Sequence, residues 1–301
     1  MVKKTKKKKK KESINKVKLD FRNKKRFKEN LHDTQSQKDT RELPINKVGI
    51  RELKYPIAVK DKDIKIQHTV ANISMYVDLP KQYKGTHMSR FLEIIEGHNR
   101  EIHVNAIFKI LNQMQKLLKA KASHIEVEFP FFMCKKAPIS KRKSLMNYKV
   151  KFHAVKDNKR EDFIMTVKVP VTTLCPCSKN ISKYNAHNQR GEVTVSIRFN
   201  NSVWIEDVIK IVEESSSCDL YSLLKREDEK YVTEKAYENP LFVEDLVRNI
   251  VLKLKQNKDI IWYSVEAENF ESIHNHNAYA QIESDFYLDN NNGKRFIISR
   301  Y

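Results

Sequence analysis

A chain of 301 residues, 40% of them hydrophobic, can bury the core of one large domain or two ordinary ones, and five glycines with eight prolines exclude a collagen-like chain. Four cysteines are too few for a disulfide framework at this length, so a reducing, cytoplasmic setting is expected, and because no apolar run approaches about 18 residues, no transmembrane helix is expected. The net charge is +20, and residues 1–30, with 15 Lys/Arg against 3 Asp/Glu, carry +12 of it. The run KKTKKKKKK within them repels itself and buries nothing, so residues 1–45 are expected to be a disordered basic tail. Such a tail reads as a nucleic-acid contact, a localisation signal or a plain solvated extension. No apolar segment follows it, so it is not a secretory signal. The charge left on the rest of the chain suits an anionic substrate.

Order is expected to begin near Lys47–Pro56. Residues 65–80, KIQHTVANISMYVDLP, alternate through Ile73, Met75, Val77 and Leu79, which predicts a strand. GTHMSRF (85–91) reads as a Gly-led turn into a helix with Ser89 as its cap. Val104, Ile107, Phe108, Leu111 and Leu118 predict an amphipathic helix over 103–119. IEVEFPFF (125–132) and LMNYKVKFHAV (145–155) predict two strands, with a break at 159–162. FIMTVKVPV (163–171) and EVTVSIRF (192–199) predict two more, followed by helices over 203–214 and 240–255 and strands over 260–270 and 277–288. The order strand, strand, helix, helix, strand, strand therefore runs twice, less completely in the first half, which suggests units at 46–158 and 159–301. Antiparallel sheets with helices on one face make an α+β architecture. Sheet edges left open by single units predict an oligomer with sites near the joins.

Side chains with ligand chemistry gather in short stretches. VTTLCPCSKNISKYNAHNQR (171–190) holds Cys175, Cys177 and His187, and Pro176 constrains the turn between the cysteines. One cysteine thiolate, two imidazoles and a carboxylate would suit Zn²⁺, with Fe²⁺ or Mn²⁺ also open. Read alone, C-P-C serves equally as two buried thiols. His274 and His276 fall on one side if their segment is extended, and they also read as loop residues bonded to backbone. Glu244 in FVED reads, on pattern alone, as a solvated helix carboxylate, and Glu229 in REDEKYVTE as part of a charged, solvated surface run.

Taken together, QHTVANISMYVDLP, YKGTHMSRF, VPVTTLCPCSKNISKYNAHNQR, DEKYVTEKAYENPLFVEDLVR and ENFESIHNHNAYA resemble GTP cyclohydrolase I of type IB, from about Gly49 to Asp285. The resemblance implies the tunnelling fold, with two such units per chain and barrels closed by association into a homotetramer. It implies hydrolysis of GTP to formate and 7,8-dihydroneopterin triphosphate, the first step toward tetrahydrofolate. By motif, Cys175, His187, Glu229 and His274 are implied as ligands of one divalent metal, Zn²⁺, Mn²⁺ or Fe²⁺. Glu244 is implied as the carboxylate that takes the guanine N1–H and 2-amino donors. In this chemistry a metal-generated hydroxide attacks C8 while a nearby group protonates N7. His276, Cys177 and His68 are the candidates for that proton traffic. Lys179, Arg190, His87, Arg90 and Ser89 are of the right type to hold the triphosphate. Asn185 stands where the family commonly has a small residue such as Gly, and Asn tolerates the positive φ this requires. The same fold class also contains the nitrile reductase of queuosine synthesis, and a nucleic-acid-binding protein led by the tail is the non-enzymatic alternative.

Overall fold

The computed structural model describes residues 33–98 and 100–285, and the backbone alone of 287–289 and 295–297. The basic run falls outside the described residues. Within the tail expected over 1–45, residues 35–39 lie along 82–85 through Gly85 N→Gln35 O (3.1 Å), Lys84 N→Gln37 O (3.0 Å) and Asp39 N→Gln82 O (3.3 Å), so order begins earlier than its composition suggests.

Gln35–Tyr301 form one unit. Its elements in chain order are β1 (Ile45–Asp61), β2 (Lys65–Leu79), α1 (Ser89–Glu96), β3 (Glu101–Ile102), α2 (Val104–Leu118), β4 (Ser123–Lys136), β5 (Lys143–Lys156), β6 (Glu161–Leu174), α3 (Pro176–Ile181), β7 (Asn188–Phe199), α4 (Ile205–Glu213), α5 (Arg226–Glu238), α6 (Val243–Leu254), β8 (Ile260–Asn269), β9 (Ala278–Glu283), β10 (Tyr287–Asp289) and β11 (Arg295–Ile297). Nine strands form one sheet in the order β3-β1-β2-β4-β5-β6-β7-β8-β9, antiparallel throughout except where β3 joins β1. The architecture is α+β, as the alternation of strand and helix patterns predicts.

Period-two alternation puts one residue of each pair against the helices. Ile73, Met75 and Val77 of β2, Ile125 and Val127 of β4, Val167 and Val169 of β6, and Val193 and Val195 of β7 are all buried on that face. Ile107, Ile110, Leu111 and Met114 of α2 pack against the first four long strands. Ile205, Val208, Ile209 and Val212 of α4 and Leu246, Val247, Ile250 and Leu254 of α6 pack against the others. A row of rings, Phe129–Phe152–Phe163–Phe199, crosses the middle of the sheet with centroids 5.2, 5.3 and 5.8 Å apart. Each such contact is worth about 0.5–1.5 kcal/mol beyond burial. The row ties the two halves into one core.

The structure departs from the sequence reading in three ways. Ser89 is the first residue of α1, not its cap; Met88 precedes the helix and no side chain caps it. The C-P-C segment is the start of the short helix α3, with Pro176 in its first turn. The charged run 226–238 is the helix α5, which buries only Asp228 and Ala236. With no apolar stripe, it lacks the period-3.6 signal that revealed the other helices.

Candidate active site

The antiparallel register decides which motifs meet. At one rim of the sheet β6 ends and β7 begins, β8 ends and β9 begins, and the β4–β5 hairpin turns at Ala137–Arg142. Three segments converge there. Cys175 N donates to His187 O (3.2 Å), Phe270 N donates to Arg190 O (2.9 Å), and Gln189 Nε2 donates to Glu271 Oε1 (3.2 Å). Thus 175–179, 186–190 and 269–276 form one cluster.

Within it Cys175 is a free, partly buried thiol that precedes α3, and its sulfur accepts the Ser178 N–H at 3.5 Å. Cys177, two residues further on, is exposed. The His187 Nδ1 lies 3.0 Å from Ser272 Oγ, which orients the ring and leaves Nε2 for a ligand. Ser272 is therefore a site residue that motif reading did not single out. His274 and His276 lie in a bent segment, not a strand, yet their rings stack at 5.1 Å and 21°. Both are exposed. Asn185 takes φ 85°, the left-handed conformation allowed for at that position. Beneath the cluster Thr173 faces Gln189 across β6–β7 and Asn269 faces Gly191 across β7–β8. The side-chain oxygens of Thr173, Gln189 and Asn269 are buried without a partner among the described residues, a polar floor suited to water.

Glu244 sits exposed in the first turn of α6, on the far side of a link pinned by Leu241 N→Leu174 O (3.1 Å). Its neighbour Asp245 is the residue that caps the helix, accepting the Phe242 N–H at 3.2 Å, which leaves Glu244 unspent. Glu229 is exposed on α5. Beside it, buried Asp228 accepts from Ile139 N (2.8 Å), Ser140 N (2.9 Å), Ser140 Oγ (2.6 Å) and Lys225 N (2.9 Å), and these bonds hold its carboxyl well below the usual range. This anchors the start of α5 to the β4–β5 hairpin. An acidic first turn after Lys225 was the available sign of a helix start.

The donor types fit a divalent cation: a thiol, an imidazole oriented by a serine, a carboxylate and a second imidazole. Among the described residues no three His, Cys, Asp or Glu side chains close on a common point, so the four side chains do not form a complete set of ligands within the single chain. The phosphate candidates divide. Arg190 is exposed at the cluster, whereas Lys179 donates to Tyr237 O at 2.6 Å. His87, Ser89 and Arg90 follow the end of β2, at the rim where β6 begins, and Arg90 Nη1 donates to Leu117 O at 2.9 Å. The 14 residues of β6, at about 3.3 Å each, place them roughly 40 Å from Cys175. His68, exposed on β2, is at the correct rim but three strand spacings away, at least about 14 Å.

The chain matches the family model described as type I GTP cyclohydrolase folE2 over residues 31–280. It is 56% identical over 255 residues to the GTP cyclohydrolase FolE2 of Geotalea uraniireducens, covering 85% of this chain and 94% of that one. It is 54% identical over 255 residues to that of Thermosipho africanus and 56% identical over 258 residues to that of Akkermansia muciniphila, in each case covering 85% of this chain and 98% of the other. Among solved structures, urate oxidase from Bacillus sp. TB-90 superposes at a TM-score of 0.49 and 7% identity, over 80% of this chain and 99% of that one. On the family match and the curated relatives, this chain belongs to the type I GTP cyclohydrolase FolE2 family.

Proposed function

We propose that this GTP cyclohydrolase opens the guanine ring of GTP with one divalent metal, Zn²⁺, Mn²⁺ or Fe²⁺, held by Cys175, His187, Glu229 and His274. The observation that carries this reading is the convergence of the Cys175, His187 and 269–276 segments at one rim, with the His187 ring oriented by Ser272 at 3.0 Å. A divalent cation held there would acidify water and so supply a nucleophile for C8 near neutral pH. Glu244 accepts the N1–H and 2-amino donors of guanine, a geometry two carboxylate oxygens match. Arg190 offers the triphosphate a bidentate cation from the start of β7, three residues after His187. His276, stacked on His274, is our first candidate to give N7 its proton, and Cys177 the second. His87, Ser89 and Arg90 reach such a site only from a second copy of the chain. Their distance from Cys175 and the outer edges of the sheet at β3 and β9 support a homotetramer closed into a barrel. No helix among the described residues is long and apolar enough to cross a membrane.

The test is direct. Purified protein with GTP and each metal in turn is expected to release formate and a triphosphate that fluoresces as neopterin after oxidation. Cys175→Ala is expected to lose that turnover together with bound metal. Absence of product with every divalent metal, or full activity in Cys175→Ala, overturns the proposal.

A further inference from the structure

Helix α5 has almost no apolar surface to hold it. Of its 13 residues only Asp228 and Ala236 are buried, so packing cannot fix its position and polar contacts must. They do so at three points. Asp228 ties its first turn to the β4–β5 hairpin. Lys235 Nζ lies 3.5 Å from Asp219 Oδ1. At its end Tyr237 meets the Cys175–His187 loop twice. Lys179 Nζ donates to the Tyr237 carbonyl at 2.6 Å and stands 4.2 Å from the centre of the Tyr237 ring, and Tyr237 OH donates to Asn185 Oδ1 at 3.2 Å.

The two loop residues lie between Cys175 and His187. Lys179 lies four residues after Cys175, in α3, and its N–H donates to the Cys175 carbonyl at 3.2 Å. Asn185, with φ 85°, lies two residues before His187. A tyrosine gripping both closes the loop across α5 and sets how far Cys175 stands from Glu229, which lies eight residues, or about 12 Å, back along the helix. The Lys179 ammonium is committed to a carbonyl and to a π face, two of the directions a phosphate oxygen would need.

We propose that Lys179 and Tyr237 are positioning residues for the metal and guanine groups, and that Lys179 is not a triphosphate ligand. The inference rests on the function proposed above. It assigns α5 the part of a brace between the β4–β5 hairpin and the Cys175 loop.

The experiment measures Mn²⁺ affinity without nucleotide by electron paramagnetic resonance, with steady-state kinetics on GTP beside it. The proteins are the full chain, Lys179→Met, Tyr237→Ala, their double variant and Lys179→Arg. Loss of an outer positioning contact lowers metal affinity by about 10–100-fold, so Lys179→Met and Tyr237→Ala are each expected to weaken Mn²⁺ binding on that scale and to lower kcat. The double variant is expected to lose less than the two single losses combined, because both remove the contact of the ammonium with the ring, while Lys179→Met alone removes the bond to the Tyr237 carbonyl and Tyr237→Ala alone the bond to Asn185. Lys179→Arg, which keeps a cation and donors, is expected to recover most of the affinity. Thermal unfolding of each variant shows that it is folded. If Lys179→Met binds Mn²⁺ as wild type does and only KM for GTP rises, Lys179 is a triphosphate ligand and the inference fails while the proposed function stands. If the wild-type protein binds no divalent metal and yields no product, the proposed function itself fails.

Discussion

Replacing Lys135 with methionine tests what holds the strands behind the active-site rim. The Lys135 ammonium lies 2.8 Å from Glu213 Oε1 and 3.2 Å from Asp219 Oδ2, with both the Lys135 and Glu213 side chains only 9% exposed. Tyr148 OH donates to the same Glu213 oxygen at 2.6 Å, and the ammonium stands 4.5 Å over the Tyr221 ring. The variant leaves Glu213 buried with a single donor. Stranding one member of a buried ion pair costs about 3–5 kcal/mol, on the order of 10 °C in Tm for a unit this large. Burial already holds the Glu213 carboxyl above its ordinary range, with Lys135 and Tyr148 drawing it back. Without Lys135 it rises further. Between the unfolded and folded values the native protein then binds more protons than the unfolded one, so stability falls as pH rises. The defect is therefore expected to be deepest at neutral pH and to shrink toward pH 5. Scanning calorimetry at fixed protein concentration from pH 5 to 8 measures this. Lys135→Met/Glu213→Gln, which keeps an acceptor for Tyr148, is expected to recover most of the loss. A single variant within about 2 °C of wild type at neutral pH, or a defect that grows on acidification, would refute the reasoning.

In the proposed guanine site, Glu244→Gln would exchange one acceptor oxygen for a donor opposite the 2-amino and N1–H groups. It is expected to raise KM for GTP by at least about 10-fold, the cost of a charge-assisted bond, while metal content by mass spectrometry stays at the wild-type level. Gly191→Ala places a Cβ 2.7 Å from Glu268 O and 2.8 Å from Asn269 Oδ1, so β7 and β8 must part. The expected loss is about 1–3 kcal/mol, read by urea unfolding, with weaker Mn²⁺ binding because Arg190 and His187 share that strand end. Removal of residues 1–30, which precede the family match at 31–280, is expected to leave kcat and KM unchanged. A large fall in turnover on that deletion would give the basic tail a part in catalysis.

The strands were legible because the sheet buries one face. Ile73, Met75 and Val77, or Val193, Val195 and Ile197, cannot alternate as they do on a helix without exposing half of them. Helices α2, α4 and α6 were legible for the same reason, each through an apolar stripe. Helix α5 was not, because polar contacts of Asp228, Lys235 and Tyr237 hold it and leave no periodic trace. Pairing of Cys175 with His187 followed from motif proximity. Ser272, which orients the His187 ring from 85 residues away, and the Lys135–Glu213–Tyr148 cluster depend on strand register. No local pattern carries such contacts.

Register also limits what a single chain can complete. Val77 pairs with Ser123, Ser123 with Lys156 and Lys156 with Glu161, so the end of β2 and the start of β6 share one rim. GTHMSR leaves the sheet at that rim and the Cys175 loop leaves it at the other. A shift of one residue in any of these pairings would turn buried side chains outward, so the two motifs cannot approach by sliding strands. Rotating side chains cannot close a gap of roughly 40 Å either, since the longest of them extends only about two residues' length of strand. If His87, Ser89 and Arg90 contact the same GTP as Cys175, they do so from a neighbouring copy. The enzyme's activity then depends on its own concentration once association fails, and dilution and first-half substitutions become linked experiments. Inactive Arg90→Ala and Cys175→Ala chains, mixed and reassembled, are expected to regain activity at sites that draw one intact half from each. A mixture no more active than its parts places both motifs on different functions.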